Sequence, residues 1–188
     1  MSYGTVVMKN LVFLFGYLFL VNADVYYAPR ITDSMLSCDG FDNDYLNCDG
    51  LLLGSLQGEE GDDAAKLSGS LVTLQEILPE HEVKIEVFKM ADIKDEFMYE
   101  CMFNLCDSLQ NTDSPWWPVI EKLNVTECPV PMKTFEVDKL TISLEPFKDF
   151  MCHDFCGEYR IQISFMDVAD TLSCHVLELC IVECEDDE

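Results

Sequence analysis

Ten cysteines in 188 residues constrain this chain more than any other feature. They stand at Cys38, Cys48, Cys101, Cys106, Cys128, Cys152, Cys156, Cys174, Cys180 and Cys184. So many thiols in so short a chain indicate a disulfide framework, provided the chain enters an oxidising compartment. Ten cysteines do not reveal their own connectivity.

The N-terminus meets that condition. Lys9 precedes an apolar run at residues 11–21 (LVFLFGYLFLV), and Asn22 and Ala23 follow. One positive charge, a short apolar core and small residues at its end describe a secretory signal peptide, with cleavage expected after Ala23. The run falls short of the ~20 residues that span a bilayer. No other long apolar run, lipid-anchor tail or KDEL-type ending is read. The expected location is therefore secreted and extracellular, with an endolysosomal compartment as the alternative.

Charge removes several function classes. Asp and Glu number 36 against 11 Lys and Arg, a net charge of −25. Nucleic acid is excluded as a partner, because phosphate binding needs clustered Lys and Arg. Contact with an anionic membrane is at most transient. Hydrophobic residues make up 49% of the chain, too many for a wholly disordered acidic polymer.

Four segments are expected: a signal peptide at 1–23, an acidic loop-rich segment at 24–69, one β-sandwich domain at 70–184 and an acidic tail at 185–188. Residues 54–69 (GSLQGEEGDDAAKLSG) read as a long loop. From Leu71 the pattern sharpens, with a strand expected to run from there to near Pro79. Val83, Ile85 and Val87 alternate with Lys84 and Glu86, the period of a half-buried strand. Residues 97–101 read as another strand and 102–109 as a short helix. Pro115 and Pro118 bracket Trp116 and Trp117 in a constrained loop, with a helical turn over 119–123. Phe135, Val137, Leu140, Ile142 and Leu144 suggest a strand broken near Lys139. Tyr159, Ile161, Ile163 and Phe165 alternate with polar residues in the strongest strand of the chain. Residues 172–182 are apolar on both faces and are expected to be central. Short strands with few helices predict an all-β fold, an immunoglobulin-like sandwich or cup.

Several motifs carry a resemblance in their order and spacing. They are Cys101 and Cys106 on a short helix, Asn124-Val125-Thr126-Glu127-Cys128-Pro129, Gly157-Glu158-Tyr159-Arg160-Ile161, and Cys174 in the closing strand. Together they resemble the ganglioside-activator branch of the ML lipid-recognition superfamily. The nearer likeness is to an insect-expanded set of small secreted relatives, some linked to pheromone sensing. The resemblance implies a disulfide-stapled β-sandwich that opens like a cup, holds acyl chains in its interior and carries no catalytic residues. It also implies Cys106 paired with Cys128, and Cys174 paired with Cys38 or Cys48. In the same reading Cys152 and Cys156 close a local loop. Cys180 and Cys184 pair with each other, or with Cys101 and the spare N-terminal cysteine. Cys152, Cys156, Cys180, Cys184 and the acidic end depart from the family pattern.

A ligand in such a cup would meet Trp116, Trp117, Phe135, Phe147, Phe150, Phe155, Ile161, Ile163 and Phe165. Trp116 and Trp117 suit a rim, since the indole body is apolar and its N–H polar. Ordinary core packing is the alternative for every residue in this set. Asn124-Val125-Thr126 is a glycosylation sequon and places Asn124 on an exposed turn.

Other chemistry finds little footing. Cys152-His153-Asp154-Phe155-Cys156 contains zinc-type ligands, but an oxidising compartment favours disulfides over thiolates. Asp39, Asp42, Asn43, Asp44, Asn47 and Asp49 form an oxygen-rich cluster. Read as a calcium loop from Asp42, its twelfth position is Leu53 where Glu is required. A solvated acidic loop is the simpler reading. No Gly-x-Ser-x-Gly elbow occurs, and no carboxylate pair stands out. No enzyme activity, cofactor or metal is expected. The leading expectation is a carrier of a lipid or other hydrophobic small molecule, presenting it to a receptor or hydrolase partner. The alternative is a filled-core interaction module acting through its surface.

Overall fold

The computed structural model describes residues 25–31, 34–55, 65–113, 117–142 and 151–185. Among them are nine strands, all paired antiparallel, in two sheets. The strands are β1 (Val25–Ile31), β2 (Leu36–Ser37), β3 (Leu46–Ser55), β4 (Ala65–Thr73), β5 (His81–Lys89), β6 (Glu96–Asn104), β7 (Lys133–Ile142), β8 (Gly157–Asp167) and β9 (Asp170–Glu185). Helix α1 (Leu105–Ser108) follows β6, α2 (Trp117–Leu123) precedes β7, and a single 3-10 turn (His153–Phe155) leads into β8. The chain is an all-β, disulfide-stapled fold.

The larger sheet runs β1-β9-β8-β5-β6, with β2 also on β9. The smaller runs β3-β4-β7. β9 lies between β1 and β8, as its apolar faces require. In β5 and β8 the alternating residues put Val83, Ile85, Ile161, Ile163 and Phe165 on one face, although burial itself does not alternate strictly, since Ser164 and Phe165 are both buried. The break near Lys139 is a bulge inside one continuous strand. Lys139 takes a positive φ of 50°, the β4–β7 register slips between Leu67 and Gly69, and the Lys139 N–H donates to Ser68 Oγ at 3.0 Å.

Two expectations from the sequence are corrected. The segment 24–69 supplies β1, β2, β3 and the start of β4, so it is part of both sheets. Its strands were hidden because β3 carries a run of three leucines and a register shift at Asn47/Gly50, not an alternation. The strand expected to begin at Leu71 ends instead at Thr73. There the Thr73 hydroxyl accepts from the Lys133 N–H at 2.8 Å and has the Pro131 carbonyl, at 2.8 Å, and the Lys133 carbonyl, at 3.0 Å, as acceptors for its single proton.

Two apolar clusters fill the space between the sheets. Met35, Cys48, Leu51, Leu67, Val137, Leu140 and Leu177 form one, with Ile161 and Ile163 packed against it. Ile77, Val130, Phe135 and Phe165 form the other, sealed by Leu105 of α1 and Leu123 of α2. The second cluster closes one end of the sandwich. The Cys106–Cys128 disulfide staples α1 to the segment before β7 at that end, and an isolated bridge joins Ile77 to Val130. The Cys38–Cys174 disulfide ties the N-terminal segment to β9.

Candidate functional site

Strand register builds an apolar surface across three strands of the larger sheet. Phe165, Val83 and Phe103 stand in one row, Ile163, Ile85 and Cys101 in the next, and Ile161, Val87 and Tyr99 in the third. Because side chains alternate along a strand, these nine share one face. Phe165, Val83, Ile161 and Ile163 pack into the clusters between the sheets, so this is the inner face. Exposure rises along it toward the β6 edge: Phe165 is 3% exposed and Tyr99 55%. The Cys101 thiol beside Tyr99 pushes its phenol above the ordinary value.

The opposite face is polar. Lys84 lies 3.0 Å from both Glu86 and Glu100, and Gln162 donates to Glu86 at 3.4 Å. Arg160 pairs with Asp95 and lies over the Phe88 ring, which meets Phe97 edge-on. The sheet is thus amphipathic, and among the described strands β6 pairs with β5 alone. β3 approaches β1, β2 and β9 of the larger sheet, and α2 packs along β7.

The residues expected to meet ligand divide by position. Phe135 and Phe165 are core residues at the helix-capped end, where Phe165 meets the rings of Tyr45 and His81. Ile161 and Ile163 lie in the apolar rows. Trp117 is half-buried at the start of α2, on the same side as buried Ile120 and as Leu123, which follow at three-residue spacing. Pro118 is accommodated in the first turn of that helix, so the tryptophan loop expected there gives way to helix at Trp117. Phe155 is 37% exposed in the 3-10 turn, at the opposite end of β8 from Phe165. Its carbonyl accepts the Tyr159 hydroxyl at 2.8 Å. Trp116, Phe147 and Phe150 lie outside the described residues. Tyr99, Cys101 and Phe103 were missed because residues 97–103 are apolar at nearly every position and offer no alternation to read.

Both disulfides join partners implied by the resemblance, with Cys38 as the partner of Cys174. The wider expectation of fully paired cysteines is corrected. Cys48, Cys101, Cys152, Cys156 and Cys180 are free thiols. Cys48 is a core residue, and burial, then the Asp49 carboxylate, pushes its thiol up to about 12. Cys180 and Cys184 both lie in β9, where four residues of strand span ~13 Å. That exceeds the ~7 Å limit for a disulfide. Cys152 and Cys156 flank a turn closed by backbone bonds, Phe155 N–H to Cys152 O and Cys156 N–H to His153 O.

The oxygen-rich N-terminal cluster is spent on structure. Asn43 donates to Ser37 Oγ at 2.7 Å and accepts from the Cys174 N–H at 2.7 Å, and Asn47 accepts from the Asp49 N–H at 2.8 Å. Asp39, Asp42, Asp44 and Asp49 are exposed. Asn124 is exposed with a positive φ of 52° just beyond α2, a left-handed helix end that asparagine tolerates. No protein-family model matches the chain, and no curated protein matches it in sequence.

Proposed function

We propose that this chain is a secreted, non-enzymatic binder of a lipid or similarly hydrophobic ligand. One observation carries the reading: the inner apolar rows of β8 and β5 continue unbroken onto β6, where Tyr99 stands open to solvent. An acyl chain laid along Val87, Ile85 and Ile161 would remove apolar surface from water at roughly 25 cal/mol per Å². Trp117 and Phe155 are the aromatic candidates for contacts nearer the surface. The two disulfides hold the sandwich together while a ligand enters or leaves.

The charge of −25 keeps such a carrier soluble and repels anionic bilayers over a range of ~8 Å at physiological salt. Neutral and zwitterionic lipids fit this field best. The leader at 1–23 and a glycan on exposed Asn124 belong to the same reading, with a receptor or hydrolase receiving the ligand and any membrane contact transient. The test is displacement of a fluorescent fatty-acid analogue by neutral lipids. Saturable displacement near one equivalent supports the proposal; absence of any probe binding overturns it.

A second reading has its own observation. The β6 edge exposes Phe97, Met98, Tyr99 and Met102. An unpaired apolar edge is a template for strand addition by a protein partner. Such a module would bind a polypeptide and ignore lipid.

A further inference from the structure

Away from the apolar face, three different metal-ligating groups converge where the 3-10 turn meets β9. His153, Cys156 and Glu183 place Nδ1, Sγ and a carboxylate oxygen within 4.8 Å of one another. His153 Nδ1 is 2.6 Å from Glu183 Oε2. The local fold explains the convergence. Residues three apart eclipse in a 3-10 turn, which aligns His153 with Cys156. Antiparallel pairing of β8 with β9, Gly157 opposite Ile181, then brings Glu183 alongside the turn.

The turn itself is fixed. Lys89 donates to the Asp154 carbonyl at 2.6 Å, and Gly157 takes a φ of 139° that a side chain rarely adopts. A Cβ there would also stand 3.0 Å from Lys89 Cε. The ligands therefore sit on an anchored turn and a paired strand, the kind of support a metal site needs.

We propose that His153, Cys156 and Glu183 bind one zinc ion, with water in the fourth position. Imidazole, thiolate and carboxylate are all zinc ligands, and zinc carries no redox chemistry that would oxidise the thiol. Cys156 loses its proton to solvent on binding, and thiolate plus carboxylate neutralise the dication. Tetrahedral zinc with ligand distances of ~2.0–2.3 Å spaces its ligand atoms by about 3.3–3.7 Å. The His153–Glu183 contact thus opens by under about 1 Å, which exposed side chains accommodate by rotation. The ion would clamp the turn to the far end of β9. The nearby Cys180 thiol donates to the Ile181 carbonyl at 3.8 Å.

The experiment uses the full oxidised protein as secreted. Zinc uptake is measured by equilibrium dialysis, and Co(II) is titrated as an optical probe of thiolate ligation. One equivalent of metal and a sulfur-to-cobalt charge-transfer band are expected. Cys156→Ser abolishes the band, His153→Ala shifts its cobalt titration to higher metal concentration, and each weakens zinc by more than the ~10–100-fold typical of losing an outer-shell partner. His153 is 83% exposed, so its substitution leaves the fold intact and keeps the test clean. Peptide mapping that finds Cys156 in a disulfide in the native protein would overturn the site. So would zinc uptake unchanged in His153→Ala.

Discussion

His175 Nε2 donates to the Leu46 carbonyl at 3.0 Å, joining β9 of the larger sheet to β3 of the smaller. The histidine is 1% exposed, and its Nδ1 has no hydrogen-bond partner among the described residues. Nδ1 faces the Asp49 carboxylate at 4.0 Å. Ser173 on the same strand accepts from the Leu46 N–H at 2.9 Å, so both backbone groups of Leu46 are held by β9 side chains.

This contact makes stability depend on pH. Burial lowers the His175 pKa, while the Leu46 carbonyl and Asp49 oppose the shift. In the unfolded chain the imidazole takes up its proton near pH 6.5. Below that pH the unfolded state binds more protons than the folded state, so stability falls as pH drops until the folded pKa is passed. Urea midpoints should therefore decrease from pH 7 to pH 5.5. In His175→Gln, which retains a donor for Leu46, that slope should flatten. An unchanged slope would remove His175 as its source.

The two disulfides should differ in worth. Cys38 and Cys174 are 136 residues apart and Cys106 and Cys128 are 22 apart. Loop-closure entropy assigns about 5 kcal/mol to the first and about 3 kcal/mol to the second. Paired Cys→Ser variants, compared by urea unfolding, should rank in that order.

Gly69 has the least room for a side chain of the described glycines Gly40, Gly50, Gly69 and Gly157. It takes a φ of 128°, and a Cβ there would stand 1.9 Å from the Gly50 carbonyl oxygen. Gly69→Ala should cost at least ~3 kcal/mol, because backbone and register must shift together. Gly40→Ala also meets a positive φ, of 70°, but open space. It should cost about 1 kcal/mol. Thermal unfolding of the two variants checks the contrast.

The two faces of β6 separate the functional readings. Tyr99 belongs to the inner rows, while Met102 stands in register with Lys84 on the opposite face, and both are exposed. Tyr99→Glu should leave stability within about 0.5 kcal/mol. It should also weaken lipid binding by roughly tenfold, the loss of ~60 Å² of apolar contact. Met102→Glu should leave lipid binding unchanged. The reverse order of effects would place the binding surface on the outside of the sheet.

Much of the sandwich was legible in residue periodicity. β5 and β8 announce themselves because apolar and polar residues alternate along each, and β9 because it is apolar on both faces. What stayed hidden was set by other physics. β3 and β6 lack alternation, and their place is decided by pairing partners far away in sequence. The site was legible to the same degree. Ile161 and Ile163 could be read from alternation, whereas Tyr99 and Cys101 required the β5–β6 register. His153, Cys156 and Glu183 could not be grouped from sequence, because a strand 27 residues after Cys156 supplies the third ligand.

The most direct test of the lipid-binding reading is native mass spectrometry of the secreted, oxidised protein, followed by organic extraction. The reading predicts an added mass in the lipid range that is released on unfolding and recovered in the extract. A bare protein mass, unchanged after incubation with neutral and zwitterionic lipids, would contradict it.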